Sequence, residues 1–355
     1  MPSGSFWKGK RVWLSGHTGF KGSWLSLWLG EMGAIVAGFS LEPPTTPTLF
    51  VEARIADRVA STIGDVRDAA AVLRAMADAR PDIVIHMAAQ SLVRQSYADP
   101  VGTFATNVMG TVHVLDAVRQ VGTVRAVVVV TTDKCYENRE WVWAYREDEA
   151  MGGYDPYSAS KGCAELAVAA FRRSFAHGNV AIASARAGNV IGGGDWAADR
   201  LVPDTLRAFA KRQDVLIRNP AAVRPWQHVL EPLAGYLVLA ERLWAGGAAY
   251  AEAWNFGPRE DDARPVGWIV SELARHWGDD AGWVQDVADA PHEALLLKLD
   301  ISKARALLDW QPRWSLGTAL EHIVAWQRAW LAGNDVAQLS VAQIGAYTET
   351  SRIAS

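Results

Sequence analysis

Tyr157 and Lys161 stand four positions apart, the spacing that puts two side chains on one face of a helix. An ammonium beside a phenol favours the phenolate, so this pair could act as a base towards an alcohol near neutral pH. Upstream, Thr132-Asp133-Lys134 follows almost directly on Val127-Val128-Val129-Val130. That apolar run reads as a buried parallel strand, too short and too β-branched to prefer helix. Ligands of open α/β sheets sit beyond the carboxyl ends of such strands, where the polar hexapeptide from Thr131 to Tyr136 would emerge. Proton-coupled hydride transfer is the chemistry these residue types suit. It needs a cofactor and a substrate.

The cofactor signal lies near the N-terminus. Arg11-Val12-Trp13-Leu14 forms a short strand, and Gly16-His17-Thr18-Gly19-Phe20-Lys21-Gly22 follows. An amphipathic pattern through Trp24, Leu25, Trp28 and Leu29 comes next. Strand, glycine-rich turn and helix together form a dinucleotide-binding fingerprint, here spaced GxxGxxG. Glycine lets the backbone approach a pyrophosphate, and the helix N-terminus offers it unpaired N–H groups. A second strand, 34–39, ends at Ser40, where an acidic residue would be expected to hold the ribose of NAD. No arginine stands there for a 2′-phosphate, so NAD is expected over NADP. Asp65, followed by Val66, closes a third strand. It either reaches the adenine or caps the helix carrying Val72, Leu73 and Met76. A fourth strand, 82–86, leads into Ala88, Ala89 and Gln90, whose small residues permit close approach of the cofactor. A helix over 100–121 carries Asn107.

Further strands at 127–130 and 180–185 alternate with helical patterns, which implies a doubly wound parallel sheet of Rossmann type. Beyond it the character changes. The expected organisation is a dinucleotide domain over 1–188, to which the chain returns around 229–257. A smaller C-terminal substrate-binding lobe would take 189–228 and 258–340, and 341–355 would form a C-terminal tail. Asn189, Asp195, Trp196, Arg200, Arg224 and His228 are candidates for an anionic ligand such as a diphosphate. Gln90 and Arg94, with Asn107, would line the pocket for its other end.

Composition sets bounds on partners. The chain has 355 residues, half of them hydrophobic, and a net charge of −4, which gives no electrostatic reason to expect nucleic acid or an anionic membrane. No apolar run reaches membrane-spanning length, and the N-terminus lacks a signal-peptide core. The two cysteines, Cys135 and Cys163, make neither a CxxC pair nor a disulfide framework. Cys135 reads best as a small packed residue. No metal is expected, and the default location is cytoplasmic.

The GxxGxxG turn, the YxxxK pair, the strand-end threonine, Arg224-x-x-x-His228-Val229 and Asn255-x-Gly257 resemble the extended short-chain dehydrogenase/reductase family. The likeness runs from Trp7 to about Trp330. Within that family GHTGFKGSW, TTDKCYEN, GGYDPYSASKGCAE, RAGNVIGGGDW and RPWQHVLEPLAGY are most similar to the sugar-nucleotide 4,6-dehydratases. The resemblance implies a lyase working through bound NAD without net turnover, with a sugar-nucleotide substrate, CDP-glucose. The cytosine comes from resemblance alone. Tyr157, assisted by Lys161, would take the C4 hydroxyl proton as hydride leaves C4, with Thr132 bonded to the same hydroxyl. The C4 ketone then acidifies the C5 proton, water leaves from C6, and hydride returns to C6. Asp133 would protonate the departing oxygen, which requires a raised pKa.

Relatives acting on dTDP-glucose carry Asp-Glu where this chain has Asp133-Lys134. Lys134 is either the C5 base, if its pKa is depressed, or a cation that positions the sugar or steadies the enolate. A nucleotide-sugar 4-epimerase would need the Tyr–Lys pair but has no use for Asp133 and Lys134. A non-catalytic NAD-binding regulator would typically lose the pair. The helices over 100–121 and 157–175 carry apolar residues on more than one face, which suggests a four-helix homodimer interface. Pairing into a homotetramer stays open.

Overall fold

Strand β5 (Ala126–Val130) is apolar at every position because both of its faces are covered. Ala126, Val128 and Val130 point into one core, and Val127 and Val129 into another. The computed structural model describes residues 1–175, 180–278, 281–286 and 296–350. In it β5 lies within a seven-stranded sheet with β1 (Arg11–Ser15), β2 (Ile35–Ser40), β3 (Ala60–Ile63), β4 (Ile83–His86), β6 (Ala181–Ala187) and β7 (Ala253–Phe256). The order is β7-β6-β5-β4-β1-β2-β3, and every pairing is parallel. This is the doubly wound sheet expected from the alternating pattern. Its order reverses between β1 and β4, which opens a crevice at their carboxyl ends.

Helix α1 (Phe20–Glu31) and helix α5 (Leu230–Gly246) cover one face through Trp24, Leu25, Leu233 and Leu237. On the other face lie α2 (Ala69–Ala79), α3 (100–121) and α4 (Pro156–Phe175), contributing Val72, Met76, Val114, Leu115 and Val168. A third core gathers Ile191, Leu206, Ile217, Trp226, Leu273 and Leu320 around Trp277 beyond the carboxyl edge. The ladder of Val190–Ile191 on Gln227–His228 forms a separate two-stranded sheet.

Two stretches differ from expectation. The third strand ends at Ile63, leaving Asp65 in a turn. Residues 341–349, expected in a tail, continue the helix Val336–Glu349, which Asp335 caps through the amides of Ala337 and Gln338. Ile344 and Tyr347 are buried there, and Tyr347 donates to Glu231 (2.6 Å), so apolar burial fixes what looked like a free end.

A buried polar network fixes the sheet's carboxyl edge. Glu165, one helical turn beyond Lys161, accepts from Thr131 at the end of β5, from Ser184 of β6 (2.7 Å) and from Arg186 (2.8 Å). Arg186 also donates to the Tyr136 hydroxyl (2.7 Å), which donates to Asn255 of β7 (2.7 Å). The Glu165 and Arg186 side chains are each only 4% exposed. Removing one partner leaves the other charge buried and uncompensated. Glu165→Ala is expected to cost about 3–5 kcal/mol in urea unfolding. Glu165→Gln combined with Arg186→Met should recover most of that loss.

Candidate active site

The turn after β1 is shaped for close backbone approach. Gly16 has φ +80°, and a Cβ there would lie 2.8 Å from the Ala88 amide nitrogen. A Cβ on Gly22 would come within 2.0 Å of the Gly16 carbonyl oxygen. Gly19 is the N-cap of α1 without a side-chain cap bond, so the first amides of the helix face the crevice unsatisfied by side chains. This cradle fits a pyrophosphate. Thr18 shares a hydrogen bond with Ser40 (2.8 Å) and donates to the Leu41 carbonyl (2.9 Å), locking the turn to the end of β2. His17 is fully buried; Gly38 lies against its ring, and its Nε2 meets the Ser61 hydroxyl (2.7 Å).

Asp155 starts α4. Its carboxylate accepts from the Ser158 amide (2.9 Å) and hydroxyl (2.6 Å), and Pro156 occupies the first turn. The helix thereby presents Tyr157 and Lys161, both nearly buried, towards the end of β5. Lys161 donates to the Val130 carbonyl (3.3 Å). Thr132 caps the short turn Asp133–Cys135, accepting from the Lys134 amide (3.3 Å) and donating to Asp133 Oδ1 (2.9 Å). The Thr132 side chain lies beside Tyr157 and favours its ionisation. Thr132, Asp133, Tyr157 and Lys161 therefore come together at the carboxyl end of β5, with Lys134 half-buried in the same turn. Asn107 lies in the π turn Ala105–Met109, a distortion often found at functional sites. Its amide joins the Gln90 backbone (2.9 Å) to the Ser160 hydroxyl (2.9 Å).

Burial dominates the electrostatics. It pushes Tyr157 up to about 12, outweighing the influence of Thr132, so in the ligand-free protein the phenol is harder to ionise than the Tyr–Lys spacing suggests. Lys161 is lowered to about 8 by burial, against the pull of Glu165. Lys21 is lowered to about 7 by burial and by the charges of Lys161 and Arg200. Asp133 is raised by burial despite Lys134, Thr132 and Arg224, which favours the protonated acid.

The remaining candidates divide. Arg200 pairs with Asp195 (2.9 Å) and donates to Ser91 (3.0 Å), and its charge reaches both Lys21 and Tyr157. Arg224 donates to the Val223 carbonyl (2.9 Å) and is felt by Asp133. The Asn189 carbonyl accepts from the Gln227 amide (3.0 Å), holding its loop beside them. Arg94 instead forms an exposed pair with Asp199 (2.6 Å). Gln90 is engaged by Leu92 and Thr103. Trp196 packs edge-on against Trp326 and Trp330. His228 is buried between the rings of Trp24 and Trp314. Asp65 is held by Arg67 (2.5 Å), while Asp68 caps α2. Val66 packs under Gly110, and its carbonyl meets His113 (2.9 Å).

Sequence reasoning gave no role to Glu165, Arg186 or Tyr236. An arginine closing an otherwise apolar strand was the available signal for Arg186, because a buried guanidinium requires a carboxylate.

A family model described as GDP-mannose 4,6 dehydratase matches residues 14–323. The chain is 58% identical over 350 residues to the CDP-glucose 4,6-dehydratase of Salmonella typhimurium, covering 97% of each chain. It is 30% identical to the dTDP-glucose 4,6-dehydratase of Streptomyces griseus, over 75% of this chain and 78% of that one. Among solved structures, the dTDP-glucose 4,6-dehydratase of Streptomyces venezuelae, with NAD bound, superposes with a TM-score of 0.77 at 24% identity. The match covers 92% of this chain and 99% of that one. The UDP-glucose 4-epimerase of Thermotoga maritima gives 0.78 at 23% identity, covering 90% and 99%. At these identities the two structures show the fold.

Burial lowers His17 to about 4 and both His86 and His228 to about 3, from 6.5. The unfolded chain therefore binds more protons than the folded one below pH 6.5, and stability falls as pH drops from about 6.5 towards 4. The urea midpoint is expected to decline across that window. In histidine NMR spectra these three rings should not titrate between about pH 5 and 8.

Proposed function

The chain belongs to the GDP-mannose 4,6 dehydratase family, and we propose that it is an NAD-dependent lyase. It converts CDP-D-glucose to CDP-4-dehydro-6-deoxy-D-glucose and water. The reading rests on the 58% identity, over 97% of the chain, to a CDP-glucose 4,6-dehydratase. The pocket supports it with a buried acid, Asp133, that simple C4 epimerisation would not use.

The turn Gly16–Gly22 would hold the NAD pyrophosphate; Ser40, Asp65, Val66, Ala88, Ala89, Gln90 and Asn107 would line the rest, with Tyr157 and Lys161 at its reactive end. NAD supplies the hydride acceptor for C4 and the hydride later delivered to C6. The protein's own work is acid–base chemistry and exclusion of water. Tyr157 accepts the C4 hydroxyl proton, with Thr132 orienting that hydroxyl, and the charges of Lys161 and Arg200 favour the phenolate against burial. The resulting ketone makes the C5 proton acidic. As that proton passes to a base, the C5–H electron pair forms the C5–C6 double bond, the C6–O bond breaks, and Asp133 protonates the departing oxygen as water; the same base returns the proton to C5 when hydride reaches C6. Lys134 is the base in this reading. The diphosphate would lie on Asn189, Arg200 and Arg224.

Purified protein incubated with CDP-glucose, with and without added NAD, is expected to yield a 4-keto-6-deoxy product that has lost one water, as followed by mass spectrometry. Recovery of CDP-galactose would instead establish an epimerase. Running dTDP-, GDP- and UDP-sugars alongside tests the base. Lys134→Ala should slow elimination about a hundredfold or more. A normal elimination rate would remove Lys134 from the role.

The protein works as a cytoplasmic homodimer in deoxysugar formation, including that of lipopolysaccharide O-antigen. α3 and α4 leave Val101 (79% exposed), Met109, Leu166 (61% exposed) and Phe175 at the surface, apolar area that a second copy would cover. Sedimentation at micromolar concentration is expected to give a dimer. A stable monomer would exclude this interface.

A further inference from the structure

Tyr236 sits on the face of α5 turned towards the sheet, fully buried, with its ring edge-to-face on Phe256 of β7 (5.6 Å between centroids). Its hydroxyl has no hydrogen-bond partner among the described residues, an unfavourable state for a buried polar group. Asp133 presents a second such atom. Its Oδ1 accepts from Thr132, whereas Oδ2 is buried and unpartnered. The two groups sense each other's charge, and Tyr236 also senses Tyr157. The Lys21 ammonium lies 5.8 Å from the centroid of the Tyr236 ring, so α1 and α5 meet here.

A phenol and a carboxyl left without partners in one pocket form a complementary donor and acceptor. Burial pushes the Tyr236 phenol well up, which keeps it a donor throughout the working range. An acid that gives up its proton in a buried site becomes a carboxylate whose charge must be met by donors. Thr132 meets one oxygen. We propose that Tyr236 is the positioning residue for the other, its hydroxyl donating directly or through one water towards Asp133 Oδ2 as Asp133 releases its proton. The inference rests on the dehydratase reading, in which that proton goes to the departing C6 oxygen. Tyr236 lowers the barrier to elimination and leaves C4 oxidation untouched. The groups facing it are Lys21 from α1, Tyr157 from α4 and Asp133 from the turn after β5.

Tyr236→Phe removes the hydroxyl and keeps the ring, so the core retains its shape. The variant is expected to melt at or above the wild-type temperature, because a buried unpaired hydroxyl is gone. With CDP-glucose its kcat should fall about tenfold to a hundredfold at nearly unchanged KM. Reduced nicotinamide should accumulate in single turnovers, since oxidation proceeds while elimination lags. In the ligand-free protein, the Asp133 carboxyl, followed by carbon-13 NMR against Asp133→Asn, should titrate higher in Tyr236→Phe than in the wild type. A variant with wild-type kcat, no accumulation and an unmoved Asp133 titration would overturn the proposal. If wild-type protein made no 4-keto-6-deoxy product, the dehydratase reading would fall separately, and the Asp133 titration alone would decide the role of Tyr236.

Discussion

The pairing of Glu165 with Arg186 is the constraint on which the carboxyl edge of the sheet depends. A parallel sheet leaves its strand ends to irregular turns, and the residues that do chemistry must come from those turns. Here one carboxylate binds the end of β5, the middle of β6 and the helix bearing Lys161. One guanidinium extends the connection through Tyr136 to β7. Thr132 and Asp133 follow the first of these contacts directly, so the buried ion pair anchors the start of the turn that Thr132 then caps. Such a pair is weak evidence for stability, because desolvation offsets its attraction. Its value lies in fixing one arrangement, since either charge left alone would be costly.

Around that frame, burial and charge oppose each other group by group. Lys161 and Lys21 are driven towards neutrality and Tyr157 towards the phenol, all by loss of water. The spacing of tyrosine and lysine alone suggests a phenolate near neutral pH, yet desolvation outweighs the influence of the neighbouring Thr132. An anion entering the pocket would reverse the lysine shifts, because a negative charge favours ammonium over amine.

Much of the fold was legible because its signals are periodic or local. The apolar run at 127–130, the glycine turn at 16–22 and the four-residue spacing of Tyr157 and Lys161 each fix an element through backbone geometry. What escaped depends on contacts between distant segments. The pairing of Arg186 with Glu165 spans 21 residues of sequence. His228 lies beside Arg224 and Trp226 in the chain, yet its ring packs between Trp24 and Trp314 in the fold. Arg94 has the right charge for a substrate residue, but Asp199 neutralises it. Tyr347 looked peripheral because no local pattern shows that Glu231 waits for its hydroxyl.

The same fold serves an epimerase at a TM-score of 0.78 and a dehydratase at 0.77, so architecture alone does not separate the two chemistries. The difference must lie in what faces C5 and C6 of the sugar. A pocket built only to oxidise C4 has no need to bury a carboxyl whose second oxygen has no partner among the described residues. Asp133 and Tyr236 carry that cost together, from separate elements joined only in the folded state.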